Sequence, residues 1–297
     1  MSREIVTVTD GLSFSECPRW HLDRLWFVDF YTERVLSVSE SGGDLRTEAE
    51  VPNQPSGLGW LPDGRMLVVS MRDRRLLRQE PDGSLVTHAD LGPYVGGHPN
   101  DMVVDGQGRA YVGNFGFDLM GGAGLASADL LRVDPDGTVT VVAHDMWFPN
   151  GSVISDEGVL LVDETFGNRV SAFDITDDGG LTNRRTWAQF GDLPPSGDLG
   201  VALAAVVVAP DGCCLDADGA LWIADAQRGR LLRVREGGDI AESIDVGTGV
   251  FACMLGGSDG RTLFACTAPD FQEEARRSAR EGAIVAIRVD APRAGRP

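Results

Sequence analysis

The chain has 297 residues, of which 26 are basic and 45 are acidic, giving a net charge of −19. This charge excludes nucleic acids and anionic membranes as favoured partners, because both would be repelled, whereas it makes a bound metal ion plausible. The 42% hydrophobic and 24% charged fractions are typical of a soluble globular protein, and the 38 glycines indicate many turns rather than long helices.

Two features of the sequence bear on compartment. The five cysteines have no spacing typical of a zinc site or a redox pair, which favours reduced, mostly buried thiols. The N-terminal segment MSREIVTVTDG lacks the apolar core of a signal peptide, and the most apolar stretch, Leu199 to Val208, is too short to span a bilayer. We therefore expect a cytoplasmic protein, either a monomer or a weak homo-oligomer.

One pattern recurs six times along the chain: a turn with Asp or Gly, followed by a short apolar run that ends on a small or polar residue. The copies are HLDRLWFVD (21–29), PDGRMLVVS (62–70), GQGRAYVGN (106–114), DEGVLLVDE (156–164), ADGALWIAD (217–225) and SDGRTLFACT (258–267). Their central residues, here called anchors, are Trp26, Leu67, Tyr111, Leu160, Trp222 and Phe264, spaced 41 to 62 residues apart. A second run follows each copy and resembles its hairpin partner.

Short strands at this period, without a long helical pattern, predict an all-β fold: a six-bladed β-propeller of four-stranded antiparallel blades. The run Ile5 to Thr9 should join the last blade and close the ring. We predict a single domain over residues 1–290 and a flexible tail over 291–297. Helical composition is limited to a short segment around Phe271 to Arg280.

Two long insertions interrupt the repeat, at 115–128 and 192–210, and we expect them to fold over one mouth of the channel. The residue three positions after each anchor is small or polar. These residues would either line a water-filled axis or serve as hydrogen-bonded structural groups; they are Asp29, Ser70, Asn114, Asp163, Asp225 and Thr267.

Four segments break the repeat in the same way, each just before an anchor run: SECPRW (15–20), HPND (98–101), FPNG (148–151) and PDGC (210–213). Their oxygen-bearing residues, Glu16, Asn100, Asn150 and Asp211, lie 10 or 11 residues before the anchors. Equivalent depth in four blades would let them converge on the axis, although each could instead cap its own turn. Two carboxylates and two amides form an all-oxygen set that suits Ca²⁺ first, then Mg²⁺ or Mn²⁺.

These motifs, together with LWFVD and DADGALWIA, resemble the SMP-30/gluconolactonase/luciferin-regenerating enzyme family across essentially the whole chain. The resemblance implies a six-bladed propeller with one divalent metal at the axis, Ca²⁺ first and Zn²⁺ also possible, and hydrolysis of a small-molecule lactone or ester. It implies Glu16, Asn150 and Asp211 as metal ligands, with Asp211 also the catalytic general base and Asn100 contacting substrate. His98 stands where sugar-lactone members tend to have an arginine.

Further candidate substrate contacts are His98 and Asp101 of the HPND motif, and Phe115 and Trp147 from neighbouring loops, which would make the mouth rather apolar. Two alternatives to a lactonase stay open. The protein could be a non-catalytic binding propeller stabilised by the metal. The same site could also perform another reaction, such as ester or phosphotriester hydrolysis or biosynthetic ring chemistry.

Overall fold

The computed structural model describes residues 3–194 and 197–297 and contains six antiparallel sheets arranged as the blades of a propeller. Strand β1 is Ile5–Leu12, and blade 1 holds β2 (Ser15–His21), β3 (Arg24–Asp29), β4 (Arg34–Val38) and β5 (Arg46–Glu50). Blade 2 holds β6 (Pro55–Trp60), β7 (Met66–Ser70), β8 (Arg75–Gln79) and β9 (Leu85–Asp90). Blade 3 holds β10 (Pro99–Val104), β11 (Ala110–Asn114), β12 (Ala128–Val133) and β13 (Val139–Met146). The predicted fold class is confirmed.

The second half of the ring repeats this arrangement. Blade 4 holds β14 (Pro149–Ile154), β15 (Val159–Glu164), β16 (Arg169–Ile175) and β17 (Leu181–Gln189), and helix α1 (Leu199–Ala205) follows it. Blade 5 holds β18 (Pro210–Asp216), β19 (Leu221–Asp225), β20 (Arg230–Val234) and β21 (Ile240–Asp245). Blade 6 holds β22 (Gly249–Gly256), β23 (Thr262–Ala268) and, after helix α2 (Glu273–Ala279), β24 (Gly282–Arg288), and the last strand is β25 (Arg293–Ala294). Strand β1 pairs with β24, so the N-terminal strand closes the ring as predicted.

The anchor residues lie on the second strand of each blade and supply the core between blades. Tyr111, Trp222 and Phe264 are among the largest fully buried side chains. The strand before each anchor run is the innermost one, because β2, β6, β10, β14, β18 and β22 contact one another in sequence around the axis. The five cysteines are all buried and free, in agreement with the sequence-based expectation.

The polar residues three positions after the anchors do not line the axis, since the inner strands lie between them and the channel. Several are buried and hold loops. The Asp29 carboxylate accepts hydrogen bonds from the Ser13 and Phe14 amides at 3.0 and 2.9 Å, and Asp225 accepts one from the Ala209 amide at 3.1 Å. Asp29 and Asp225 are therefore hydrogen-bonded structural groups rather than residues of a water-filled axis. Both hold the backbone just before an inner strand.

The last residues differ from the flexible tail that the sequence predicts. Strand β25 adds a fifth strand to blade 5 through pairing with Leu215 and Asp216 of β18. Arg296 forms a bridge with Ile154 of β14, with two backbone hydrogen bonds of 2.8 Å. The segment thus joins blades 4 and 5 at the ends of their inner strands. Backbone pairing, which composition does not reveal, holds it there.

Helix α2 lies within the predicted helical segment, whereas α1 occupies an insertion that the sequence does not predict as helix. Both helices have seven residues. Within residues 3–194 and 197–297, no helix has the length and apolar character needed to cross a membrane.

Candidate functional site

Every inner strand has a break in its pairing register near its start. The breaks fall between Glu16 and Arg19, Pro55 and Leu58, Pro99 and Met102, Pro149 and Ser152, Pro210 and Cys213, and Val250 and Ala252. Such bulges turn a side chain away from the regular alternation of a strand. The residues at these breaks include Glu16, Ser56, Asn100, Asn150, Asp211 and Phe251, one from each blade, at the same end of the axis.

The local sequence explains the geometry. In three blades the strand starts with proline, followed by a polar residue and glycine, as in Pro149-Asn150-Gly151. Proline is tolerated at the first position of a strand. A Cβ on Gly151 would collide with the carbonyl oxygen of Asp211, so glycine is required for the inner strands of blades 4 and 5 to approach each other. Phe148, just before this motif, has a φ of 57°, an uncommon conformation that often marks functional segments.

Four of the five polar side chains at these positions form a continuous hydrogen-bonded row, and this row together with Glu16 is here called the floor. Ser56 donates to the amide oxygen of Asn100 at 2.9 Å. The Asn100 amide nitrogen donates to the Asn150 amide oxygen at 2.8 Å, and the Asn150 nitrogen donates to Asp211 at 2.5 Å and to Thr165 at 3.1 Å. The floor therefore links blades 2, 3, 4 and 5 through side chains alone.

The floor is electrostatically unusual because its two carboxylates are buried without a basic partner. Burial raises the pKa of Glu16 well above its usual value, and the charges of Asp211 and Asp101 add to this rise. Burial likewise raises the pKa of Asp211, with a further contribution from Asp101. Within the described parts of the chain, neither Glu16 nor Asp211 forms an ion pair with Arg or His. The floor thus has two acidic groups that a cation would neutralise.

The donor set fits a hard divalent cation. Glu16 and Asp211 carry carboxylate oxygens, and Asn150 and Asn100 carry amide oxygens that accept hydrogen bonds from Asn100 and Ser56 in this structure. Oxygen ligands of these kinds suit Ca²⁺, Mg²⁺ or Mn²⁺. No group of three or more His, Cys, Asp or Glu side chains in residues 3–194 and 197–297 is arranged to hold a metal. Any metal at the floor would consequently need the asparagines as ligands.

Above the floor lies a cavity of about 430 Å³ lined by residues from both halves of the ring. Glu16, Asn100, Asn150 and Asp211 all line it. Its size falls within the range of small-molecule sites. Leu119 and Met120 from the first insertion, and Leu203 and Val206 from the second, also line it, so both insertions contribute to one mouth as expected.

The other predicted contacts divide into two pairs. His98 and Phe115 line the cavity, with ring centroids 5.9 Å apart, and burial lowers the pKa of His98. Asp101 and Trp147 are not among the lining residues. The Asp101 carboxylate instead forms a buried ion pair of 2.6 Å with Arg19. Their assignment as substrate contacts is not supported by these positions.

Sequence reasoning missed several residues of the site. Ser56 occupies the blade-2 position equivalent to Asn100, and the signal was the Pro55-Ser56-Gly57 triplet, which repeats the proline–polar–glycine pattern without a carboxylate or amide. Phe14 and Phe251 also line the cavity. Phe14 immediately precedes the inner strand of blade 1 and lies two residues before Glu16, and Phe251 lies on the inner strand of blade 6. These positions in the sequence could have identified both residues.

The fold and this site together define a six-bladed propeller with an oxygen-rich pocket at one end of its axis. Residues 14–269 match the sequence profile of the SMP-30/Gluconolactonase/LRE-like region, and the chain belongs to this family.

Named relatives and solved structures agree with this assignment. Pentonolactonase XacC of Haloferax volcanii is 27% identical, with 98% of this chain and 95% of that protein covered. The 6-deoxy-6-sulfogluconolactonase of Pseudomonas putida is 26% identical, over 95% of this chain and 93% of that protein. The luciferin-regenerating enzyme structure has a TM-score of 0.80 at 18% identity, with 99% of this chain and 98% of that chain covered, which shows the likeness of fold.

Proposed function

We propose that this protein hydrolyses the ring ester of a lactone at the floor of the cavity, using one divalent cation held by Glu16, Asn150 and Asp211. The observation that carries the proposal is the pair of buried carboxylates without a basic partner, set beside two asparagines at the base of a small-molecule cavity. Similarity to proteins named pentonolactonase and 6-deoxy-6-sulfogluconolactonase supports the reaction class. Ca²⁺ is the first choice for an all-oxygen site.

A cation at this position supplies Lewis acidity that polarises the ester carbonyl. Asp211, which lines the cavity at the floor, accepts the proton of the attacking water as general base. Water adds to the carbonyl carbon, the ring C–O bond breaks, and the proton passes to the departing alkoxide, so the product is a hydroxy acid. Asn100, held by the Ser56 hydroxyl, orients the substrate.

No side-chain nucleophile is required for this route. The Ser56 hydroxyl donates to the Asn100 amide oxygen and the Thr165 hydroxyl beside Asn150 donates to the Pro210 carbonyl, so neither donates to a base. The thiol of Cys17 lies 3.5 Å from the same hydroxyl, and burial raises the pKa of that thiol well above its usual value. A serine nucleophile needs an adjacent general base to activate it. Direct attack by water therefore explains the arrangement better than a covalent intermediate.

Substitution of the two carboxylates tests the proposal. Glu16→Gln and Asp211→Asn should each lower kcat/KM for a simple lactone by about 10²-fold or more, because cation binding and proton transfer both depend on them. Hydrolysis is followed by acid release with a pH indicator, and circular dichroism verifies the fold. Asp156→Asn, in an exposed turn of blade 4, is the matched control and should leave the rate unchanged.

Two outcomes would count against the proposal. Wild-type rates in both floor variants would show that hydrolysis does not depend on this site. Cation binding without turnover of any lactone or ester would favour a non-catalytic binding propeller.

A further inference from the structure

We infer that the cavity selects lactones that carry an alkyl or aryl substituent over polyhydroxylated sugar lactones. This inference rests on the proposed function and concerns the substrate class of the same site. Three features of the cavity support it. Its walls are aromatic, most polar groups of the walls are already hydrogen-bonded to the protein, and its rim is apolar and exposed.

The walls above the floor are formed by two aromatic clusters. Phe115 and Phe148 have ring centroids 4.5 Å apart, and Phe148 and Phe166 are 5.5 Å apart. Phe14 and Phe251 form the other cluster, with centroids 4.7 Å apart. The first cluster belongs to blades 3 and 4 and the second to blades 1 and 6, which lie across a six-membered ring from each other. A substituent above the floor would be enclosed by rings on both sides.

Most polar groups of the walls already have protein partners. The Tyr31 hydroxyl donates to the Phe271 carbonyl, Thr165 donates to the Pro210 carbonyl at 2.8 Å, and Gln227 donates to the Leu203 carbonyl at 3.2 Å. These are carbonyl contacts within the protein, so the donors are not directed at a ligand.

Gln54 and His98 complete the polar groups of the walls. The Gln54 amide oxygen accepts from Arg72 at 3.0 Å, and its nitrogen lies 3.4 Å from the Met71 sulfur. The His98 imidazole lines the cavity next to Phe115 and forms no hydrogen bond with the described residues, whereas the His98 backbone carbonyl accepts from the Phe115 amide at 3.0 Å. The His98 imidazole and the exposed Gln227 carboxamide offer few partners for the several hydroxyls of a sugar lactone, and each hydroxyl left without a partner would weaken binding by about tenfold.

The rim of the cavity is apolar and partly exposed to solvent. Met120 is 51% exposed, Leu203 is 43% exposed and Phe271 is 51% exposed, and all three line the cavity. They belong to the first insertion, to α1 and to the segment before α2. Exposed apolar residues clustered at one pocket indicate a binding surface. An alkyl substituent long enough to extend beyond the aromatic walls would cover this rim.

The test compares δ-lactones that share a six-membered ring. We expect kcat/KM for δ-decalactone to exceed that for glucono-δ-lactone by about 10²-fold or more, and to rise along the series δ-hexalactone, δ-octalactone and δ-decalactone. Leu203→Ser should flatten this dependence on chain length, lowering kcat/KM for δ-decalactone by a larger factor than kcat/KM for unsubstituted δ-valerolactone. The matched control is Val201→Ser, on the same helix, 50% exposed and outside the lining, which should preserve the dependence.

A binding measurement separates the inference from the proposed reaction. Calorimetric titration of Asp211→Asn with δ-decalactone should show tighter binding than with glucono-δ-lactone even though turnover is lost. Preference for glucono-δ-lactone in both assays would overturn the inference and leave the proposed hydrolysis intact. Absence of turnover with every lactone would overturn the proposed function, and the titration alone would then decide what the cavity binds.

Discussion

The buried ion pair between Arg19 and Asp101 is expected to stabilise the inner strands that carry the floor. The Arg19 guanidinium lies 2.6 Å from the Asp101 carboxylate, and the two side chains are only 3% and 4% exposed. Arg19 also donates to the carbonyls of Leu58 and Met102, so it joins the inner strands of blades 1, 2 and 3. Arg19→Met would leave a buried carboxylate without its counter-ion.

Removal of one partner from a buried pair typically costs about 3–5 kcal/mol of unfolding free energy. A chain of 297 residues has an unfolding entropy of about 620 cal/mol/K, so each kcal/mol corresponds to about 1.6 °C. Arg19→Met should therefore lower Tm by about 5–8 °C, measured by circular dichroism or differential scanning calorimetry.

The double variant Arg19→Met/Asp101→Leu provides the decisive comparison. Because it removes both charges, it should recover a large part of the lost stability, and the two effects should not be additive. A single variant within about 1 °C of the wild type would refute the reasoning. So would a double variant whose loss equals the sum of the Arg19→Met and Asp101→Leu losses.

Two further predictions concern stability. Burial raises the pKa of Asp163 well above its usual value near 3.8. The folded chain therefore holds this proton more tightly than the unfolded chain does. As a result, the free energy of unfolding falls as the pH rises above the usual pKa of aspartate. Asp163→Asn should then gain stability relative to wild type between about pH 4 and 8 in urea titrations, whereas Asp156→Asn should not; a constant difference across that range would contradict this assignment. Truncation after Asp290 removes the hydrogen bonds of Arg293 to Gly260 and of Arg296 to Ile154, and should lower Tm by a few degrees; an unchanged Tm would mean that these contacts contribute nothing.

The fold was largely predictable because each blade repeats one local pattern. A turn with glycine or aspartate precedes every anchor strand, and the partner strands follow at short distances, as β4 (Arg34–Val38) follows β3 (Arg24–Asp29). Ring closure by β1 (Ile5–Leu12) followed from a strand-like run without a local partner. Helix α1 was missed because its seven residues are too few for a helical period to be recognised within an apolar insertion.

The limits of sequence reasoning at the site have physical causes. Asp101 follows Asn100 directly, but the two side chains take different directions at the register break, one into the cavity and the other to Arg19, which is 82 positions away in sequence. The hydrogen bond between Asn150 and Asp211 likewise joins residues 61 positions apart. Such contacts depend on how the blades pack, which no local pattern specifies. The spacing of a residue from its anchor could indicate how far along the propeller axis the residue lies, but not the direction in which its side chain points.

Ser56 illustrates a different limit. It stands at the same position as Asn100 and Asn150 in its own blade, yet a serine in a Pro-Ser-Gly triplet is also common in ordinary turns. Its contribution becomes evident only from the hydrogen bond to Asn100.

Removal and restoration of the divalent cation tests the central claim most directly. The protein is treated with chelator, exchanged into metal-free buffer and assayed with δ-decalactone before and after addition of Ca²⁺, Mg²⁺ or Mn²⁺, with Glu16→Gln measured in parallel. We predict that the stripped wild type is inactive, that at least one of these cations restores hydrolysis, and that Glu16→Gln does not recover. Full activity of the stripped wild type would contradict a cation-dependent reaction at Glu16, Asn150 and Asp211.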